Sequence, residues 1–154
     1  MSIQVAVRVR PFNSREKEKT SKCIISMSGP STTIIDDLQQ EKTFTFDYSF
    51  WSHDCYIESP SGYLSPDSSQ KYADQKLVFD KLGLEILDNT WKCYHCCIFE
   101  YGQTGSGKSY SIVDYGNNKG IVLISCEEIF NGINENKAPN LHFEIEVIML
   151  EIYN

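Results

Sequence analysis

Along residues 3–10 the side chains alternate, with Ile3, Val5, Val7 and Val9 on one side and Gln4, Ala6, Arg8 and Arg10 on the other. A period of two predicts a β-strand with one face on a core. Pro11 ends it, because proline has no amide proton to give to a ladder. The charged stretch 14–22 reads as a loop or short surface turn. Residues 23–27 and 32–35 read as two short strands around the turn residues Ser28, Gly29 and Pro30. Alternation returns over 43–48, with Phe44, Phe46 and Tyr48 on one face. Residues 51–69 are punctuated by Ser, Pro and Gly without periodicity, which predicts a long surface loop.

Leu77, Val78, Leu82, Ile86 and Leu87 then recur at helical spacing, predicting a helix over about 70–90. Residues 94–101 form a nearly continuous apolar run, the pattern of a central strand covered on both faces. A glycine-rich turn follows, with a helix starting near Gly107, a break over 114–119 and a second helix over 121–133. Residues 141–153 carry a long strand pattern. No repeat or low-complexity tract interrupts this order.

Composition changes the picture mainly by exclusion. The 154 residues suit about one domain. The formal net charge of -7 argues against nucleic acid and against an anionic membrane as partner, since both need clustered Lys and Arg. Arg8, Arg10, Arg15, Lys17 and Lys19 gather weakly near the start, and the acids between them make a solvated surface the simpler reading. No run approaches the roughly 18 apolar residues of a membrane span, and residues 1–8 do not form the apolar stretch of a secretory signal. A cytoplasmic protein with reduced cysteines is therefore expected. Cys93 and Cys96, with Cys97 beside them, have redox or metal-binding spacing. Their place in an apolar run favours buried strand cysteines instead.

The chemistry sits between the apolar run and the next helix. Gly102, Gln103, Thr104, Gly105, Ser106, Gly107, Lys108 and Ser109 fit G-x-x-x-x-G-K-[ST]. Glycines let the backbone turn tightly, so that successive N–H groups converge on phosphate oxygens, and the helix start adds its dipole. Lys108 can reach the outer phosphates, and the Ser109 hydroxyl can ligate Mg²⁺ held by the nucleotide. Chance would place this pattern in about 0.5% of chains this long, and here it also has the required strand before it and helix after it. The loop alone leaves kinase, GTPase and motor open.

Wider stretches narrow the choice. Val5-Ala6-Val7-Arg8-Val9-Arg10-Pro11-Phe12-Asn13, the run from Ile98 through the loop to Tyr110, and Glu151-Ile152-Tyr153-Asn154 together resemble kinesin motor domains. Phe44-Thr45-Phe46-Asp47-Tyr48 and the following Trp51-Ser52-His53 look most like the kinesin-3 transporter class. The resemblance runs along nearly the whole chain and is weakest over 55–69. It implies an α/β P-loop NTPase fold with a mixed central sheet flanked by helices, present here only in part. Residues 1–154 would be the N-terminal portion of the motor domain, with the γ-phosphate-sensing switches and most of the tubulin-facing surface lying beyond. It also implies ATP and Mg²⁺ as cofactors, the microtubule as partner, a cytoskeletal location, and motion driven by ATP hydrolysis. Arg8, Arg10 and Pro11 match the family motif that borders the adenine, and Tyr110 matches the ring on the other side of the base.

Four positions depart from the family pattern. Glu100 stands where kinesins carry alanine, Cys93 and Asp114 stand for glycines, and Leu123 stands for a proline. None removes a phosphate-binding group. No catalytic residue is identified: Asp36, Asp37 and Asp88 do not follow buried strands, and Glu151 belongs to a strand that is structural in the family. A truncated or decayed kinesin that binds nucleotide weakly is one alternative. An unrelated P-loop kinase is another, although it would need a substrate lid and arginines not seen here.

Overall fold

The computed structural model describes residues 3–114 and 116–152; Tyr115, within the expected break, Tyr153, at the end of the last expected strand, and Asn154 after it lie outside the described residues. β1 (Ala6–Val9) pairs in parallel with β5 (Tyr48–Trp51), Ala6 opposite Tyr48 and Val9 opposite Trp51. Between them in sequence, β2 (Ile25–Ser28), β3 (Ser31–Ile35) and β4 (Glu41–Thr45) form an antiparallel meander. The strand expected over 43–48 is thus two elements. β4 ends at Thr45 and β5 begins at Tyr48, where the chain leaves one sheet for another.

A helix and a hairpin appear where loop was expected. Within 14–22, α1 (Ser14–Glu18) is a short helix held by a capping box: the Asn13 side chain accepts from Glu16 N at 2.9 Å, and Glu16 accepts from Asn13 N at 2.8 Å. Within 51–69, β6 (Tyr56–Glu58) and β7 (Leu64–Pro66) make a small antiparallel hairpin. Strands of three residues are too short for alternation to reveal.

The long helix begins at Gln75, later than the expected 70, because Asp74 caps it by accepting from Leu77 N at 2.8 Å. α2 (Gln75–Val78) runs into a π-helical turn (Phe79–Gly83) and then α3 (Leu84–Trp91). The Phe79 ring lies over Gly83, where an added Cβ would come within 2.4 Å of it. The phosphate loop leads into α4 (Lys108–Ile112), and α5 (Ile121–Glu135) follows.

The core forms where β5, the α2–α3 segment and α5 meet, around Phe50, Ala73, Val78, Phe79, Leu87 and Ile121. Burying a side chain such as Phe50 or Phe79 contributes roughly 1.5–3 kcal/mol.

Three strand expectations need correction. At the N-terminus only Ala6–Val9 is in a ladder, and Ile3 and Val5 are exposed. Residues 94–101 and 141–152 make no ladder at all, and their apolar side chains are largely solvated: Phe99 and Tyr101 at 90% and 100%, Leu150 and Ile152 at 84% and 95%. The physical reason is that a strand exists only through a neighbour's N–H and C=O groups, and no neighbour stands beside these segments among the described residues. The cysteine reading changes with them: Cys93 and Cys97 are exposed and Cys96 is half-buried, so these thiols are not core residues. The described residues hold no cluster of His, Cys, Asp and Glu able to bind a metal, and no helix long and apolar enough to cross a membrane.

Candidate nucleotide-binding site

The glycine-rich segment folds as a tight loop whose turn is closed by Ser106 N donating to Gln103 O at 3.1 Å. Gly105 and Gly107 hold φ of 80° and 96°, a left-handed region open to glycine at little steric cost. Gly107 is the residue from which α4 starts, so a side chain there would strain the hinge between loop and helix. Thr104, Gly105, Gly107, Lys108, Ser109 and Tyr110 line one cleft of about 380 Å³. At five residues α4 is a single turn and a half, so its dipole is smaller than a long helix would supply.

Lys108 folds over the loop, its Nζ donating to Gly102 O at 2.7 Å and Gln103 O at 3.0 Å. These are neutral acceptors. An anionic oxygen in the cleft would be a stronger one, because hydrogen bonds to ionised partners are about twice as strong. Arg10 anchors the loop from the N-terminal side, with Nε donating to Gly105 O at 2.7 Å. Its guanidinium also forms a two-pronged pair with Glu16, both contacts 2.7 Å. That pair holds the Glu16 carboxyl down at about 2. Pro11 is half-buried; its carbonyl accepts from Arg10 at 2.6 Å, and it is not among the residues lining the cleft.

Arg8 points the other way, into the protein. It donates to Ser52 Oγ at 2.8 Å, Gln75 Oε1 at 2.6 Å, Ala73 O at 3.1 Å and Ser111 Oγ at 3.2 Å. Its guanidinium carbon lies 5.1 Å from the centre of the Tyr110 ring. Burial lowers its pKa, opposed by the neighbouring Tyr110 and Tyr72. Arg8 therefore packs against Tyr110 and is not among the residues lining the cleft. Among the described residues the Tyr110 hydroxyl is buried without a regular hydrogen bond; burial raises its pKa, and the neighbouring Tyr72 pulls it back.

Glu100 enters the loop from the apolar run. The residue is exposed, yet partial desolvation raises the pKa of its carboxyl, while Lys108, Ser111 and Arg8 pull it back. The acid thus bears on the same lysine that faces the cleft.

The structure brings the loop, Lys108, Ser109 and Tyr110 around one space, with Arg10 bonded to the loop at Gly105, and Pro11 and Arg8 outside the lining. Sequence reasoning missed Glu16 and Gln75. The first was legible, since Asn13 followed three residues later by Glu16 is a capping signature. Gln75 carried no local signal; its importance comes from burial, at 3% exposed, and from partners distant in sequence.

Comparison with known proteins bears on this arrangement. The kinesin motor domain model matches residues 8–154. The chain belongs to the kinesin motor-domain family. Kinesin-like protein KIF28 of Rattus norvegicus is 49% identical over 156 residues, covering 99% of this chain and 15% of the relative. KIF1A of the same species, a kinesin-3 member, is 45% identical over 157 residues, covering 99% of this chain and 9% of the relative. Among solved structures, KIF14 with ADP in complex with a microtubule aligns at TM-score 0.75 and 35% identity, covering 90% of this chain and 35% of that one. A fast kinesin aligns at TM-score 0.70 and 28% identity, covering 89% of this chain and 34% of that one. The kinesin segment described here therefore has the mixed α/β P-loop NTPase fold, and spans a minor part of each relative's length.

Proposed function

We propose that residues 1–154 form the ATP-binding front of a microtubule motor in which ATP hydrolysis drives movement along the filament. The observation that carries this reading is the cleft in which Lys108, Ser109 and Tyr110 meet a loop bent by left-handed glycines. The residues fit a magnesium nucleotide. The glycine loop and Lys108 would suit the phosphates, Ser109 would ligate Mg²⁺, and Tyr110 would offer an aromatic face for the base. Bound Mg²⁺ would neutralise phosphate charge. Arg10 would hold the loop from the base side together with Pro11, and Arg8 would support Tyr110. No catalytic residue is assigned within these residues. Microtubules would be the partner and the cytoplasmic cytoskeleton the location, as suits a family whose solved KIF14 member is in complex with a microtubule.

A second reading keeps nucleotide binding at the same cleft without turnover by these residues alone. Binding of a fluorescent ATP analogue, with and without Lys108→Ala, tests the site in either case. Loss of a charge-assisted phosphate contact of about 1.5–3 kcal/mol should weaken binding roughly tenfold or more. Unchanged affinity would overturn the assignment. ATP turnover with and without added microtubules separates the two readings, since only the motor should be stimulated.

A further inference from the structure

Gln75 is the first residue of α2, yet its side chain is spent on the helix after the phosphate loop. It is 3% exposed, and a buried amide must find partners for its own polar atoms. Nε2 donates to Tyr110 O at 2.5 Å and to Asn118 O at 2.8 Å, and Oε1 accepts from Arg8 at 2.6 Å. The Tyr110 carbonyl needs this donor. In a regular helix it would accept from Asp114 N, but that amide bonds to Ser109 O at 2.9 Å instead.

We infer that Gln75 is a positioning residue that sets Tyr110 as the base-side wall of the nucleotide cleft, holding its backbone directly and its ring through Arg8. The inference rests on the nucleotide-binding reading above. Three observations support it. Among the described residues the buried Tyr110 hydroxyl makes no regular hydrogen bond, its contact with Tyr72 falling short of one, so the tip of the ring is only weakly held. The ring instead has the Arg8 guanidinium 5.1 Å from its centre, and Gln75 and Ser52 hold that guanidinium in place. Asn118 then ties the assembly to the β6–β7 hairpin, donating to Gly62 O at 2.8 Å and accepting from Leu64 N at 2.8 Å. Only a side chain with both donor and acceptor ends, and this length, satisfies Tyr110, Asn118 and Arg8 together.

The test uses two probes on the intact protein. 2-Aminopurine riboside triphosphate reports stacking of the base by quenched emission, and inorganic tripolyphosphate, which has no base, competes for the phosphate loop alone. Gln75→Met keeps the size and removes the hydrogen bonds. Gln75→Glu keeps the acceptor for Arg8 and removes the donors to Tyr110 and Asn118, so it remains informative should the methionine variant fail to fold. The expected result is about a tenfold loss of affinity for the aminopurine nucleotide and reduced quenching at saturation, with tripolyphosphate affinity held within about twofold. Equal loss for both probes would overturn the inference, by showing that Gln75 supports the fold as a whole. So would no loss for either. Failure of the unsubstituted protein to bind either probe would overturn the nucleotide-binding reading itself.

Discussion

Replacing Cys93 by glycine should stabilise the protein, and the size of the effect can be worked from the end of α3. Cys93 N donates to Thr90 O at 2.9 Å and Tyr94 N to Asn89 O at 3.0 Å, the paired bonds of a Schellman helix end. That motif requires a left-handed residue at the Cys93 position, and Cys93 has φ of 63°. An L-residue there costs about 1–2 kcal/mol relative to glycine. The greater freedom of glycine in the unfolded chain offsets about 0.5–1 kcal/mol of the gain. Cys93 is exposed, so no thiol burial is lost. The net gain is centred on about 0.75 kcal/mol within a span of about 0–1.5, or roughly 2–3 °C in melting midpoint for a protein of this size. The assay is thermal and urea unfolding of the intact protein carrying Cys93→Gly beside Cys93→Ala. The alanine variant removes the sulfur and keeps the Cβ. A glycine variant that melts no higher than the alanine variant would refute the reasoning.

Two further predictions concern the charges around the loop. Glu16 titrates at about 2 when folded, below its ordinary value, first because Arg10 donates to it and then because Asn13 N does. A depressed acid stabilises the fold above its unfolded pKa and loses that contribution as pH falls through the folded value. The Arg10–Glu16 anchor should therefore hold at neutral pH and weaken from about 4.5 down to about 2, and melting midpoints of Glu16→Gln followed over that range should lack this acid-side loss. Glu100→Ala should tighten binding of an ATP analogue, because it removes a negative charge that bears on Lys108. The gain should shrink with added salt, and weaker binding would show that the carboxylate instead holds Lys108 in place.

How much was legible in the sequence depended on the range over which each feature is determined. The phosphate loop is set by the order of eight neighbouring residues, so its glycine turns and the placing of Lys108 beside the cleft could be read directly. The unusual Cys93 was visible as a departure from glycine, and it sits at a left-handed position. Arg8 and Gln75 were not legible as a pair, because 67 residues separate them and only folding brings a polar strand position against a helix start. Residues 94–101 and 141–152 show the opposite limit. Their apolar pattern records a preference for burial, while a strand also needs hydrogen-bonding neighbours that periodicity does not report.

The stretch Val147, Ile148, Met149 and Leu150 presents four consecutive apolar side chains at 75–88% exposure, on a backbone with no ladder. A backbone without a ladder is a template for pairing, and in a preparation of residues 1–154 alone the partner at hand is another copy of the same chain. Pairing of this kind is multimolecular, and its rate should rise faster than linearly with protein concentration. Dilute preparations and concentrated ones would then differ in kind, clear solution in one and growing β-rich assemblies in the other. The acidic residues nearby, Glu144, Glu146 and Glu151, set a counterweight, since stacking identical strands in register also stacks like charges. Raising ionic strength screens that repulsion, so salt rather than heat should be the more telling variable for colloidal behaviour.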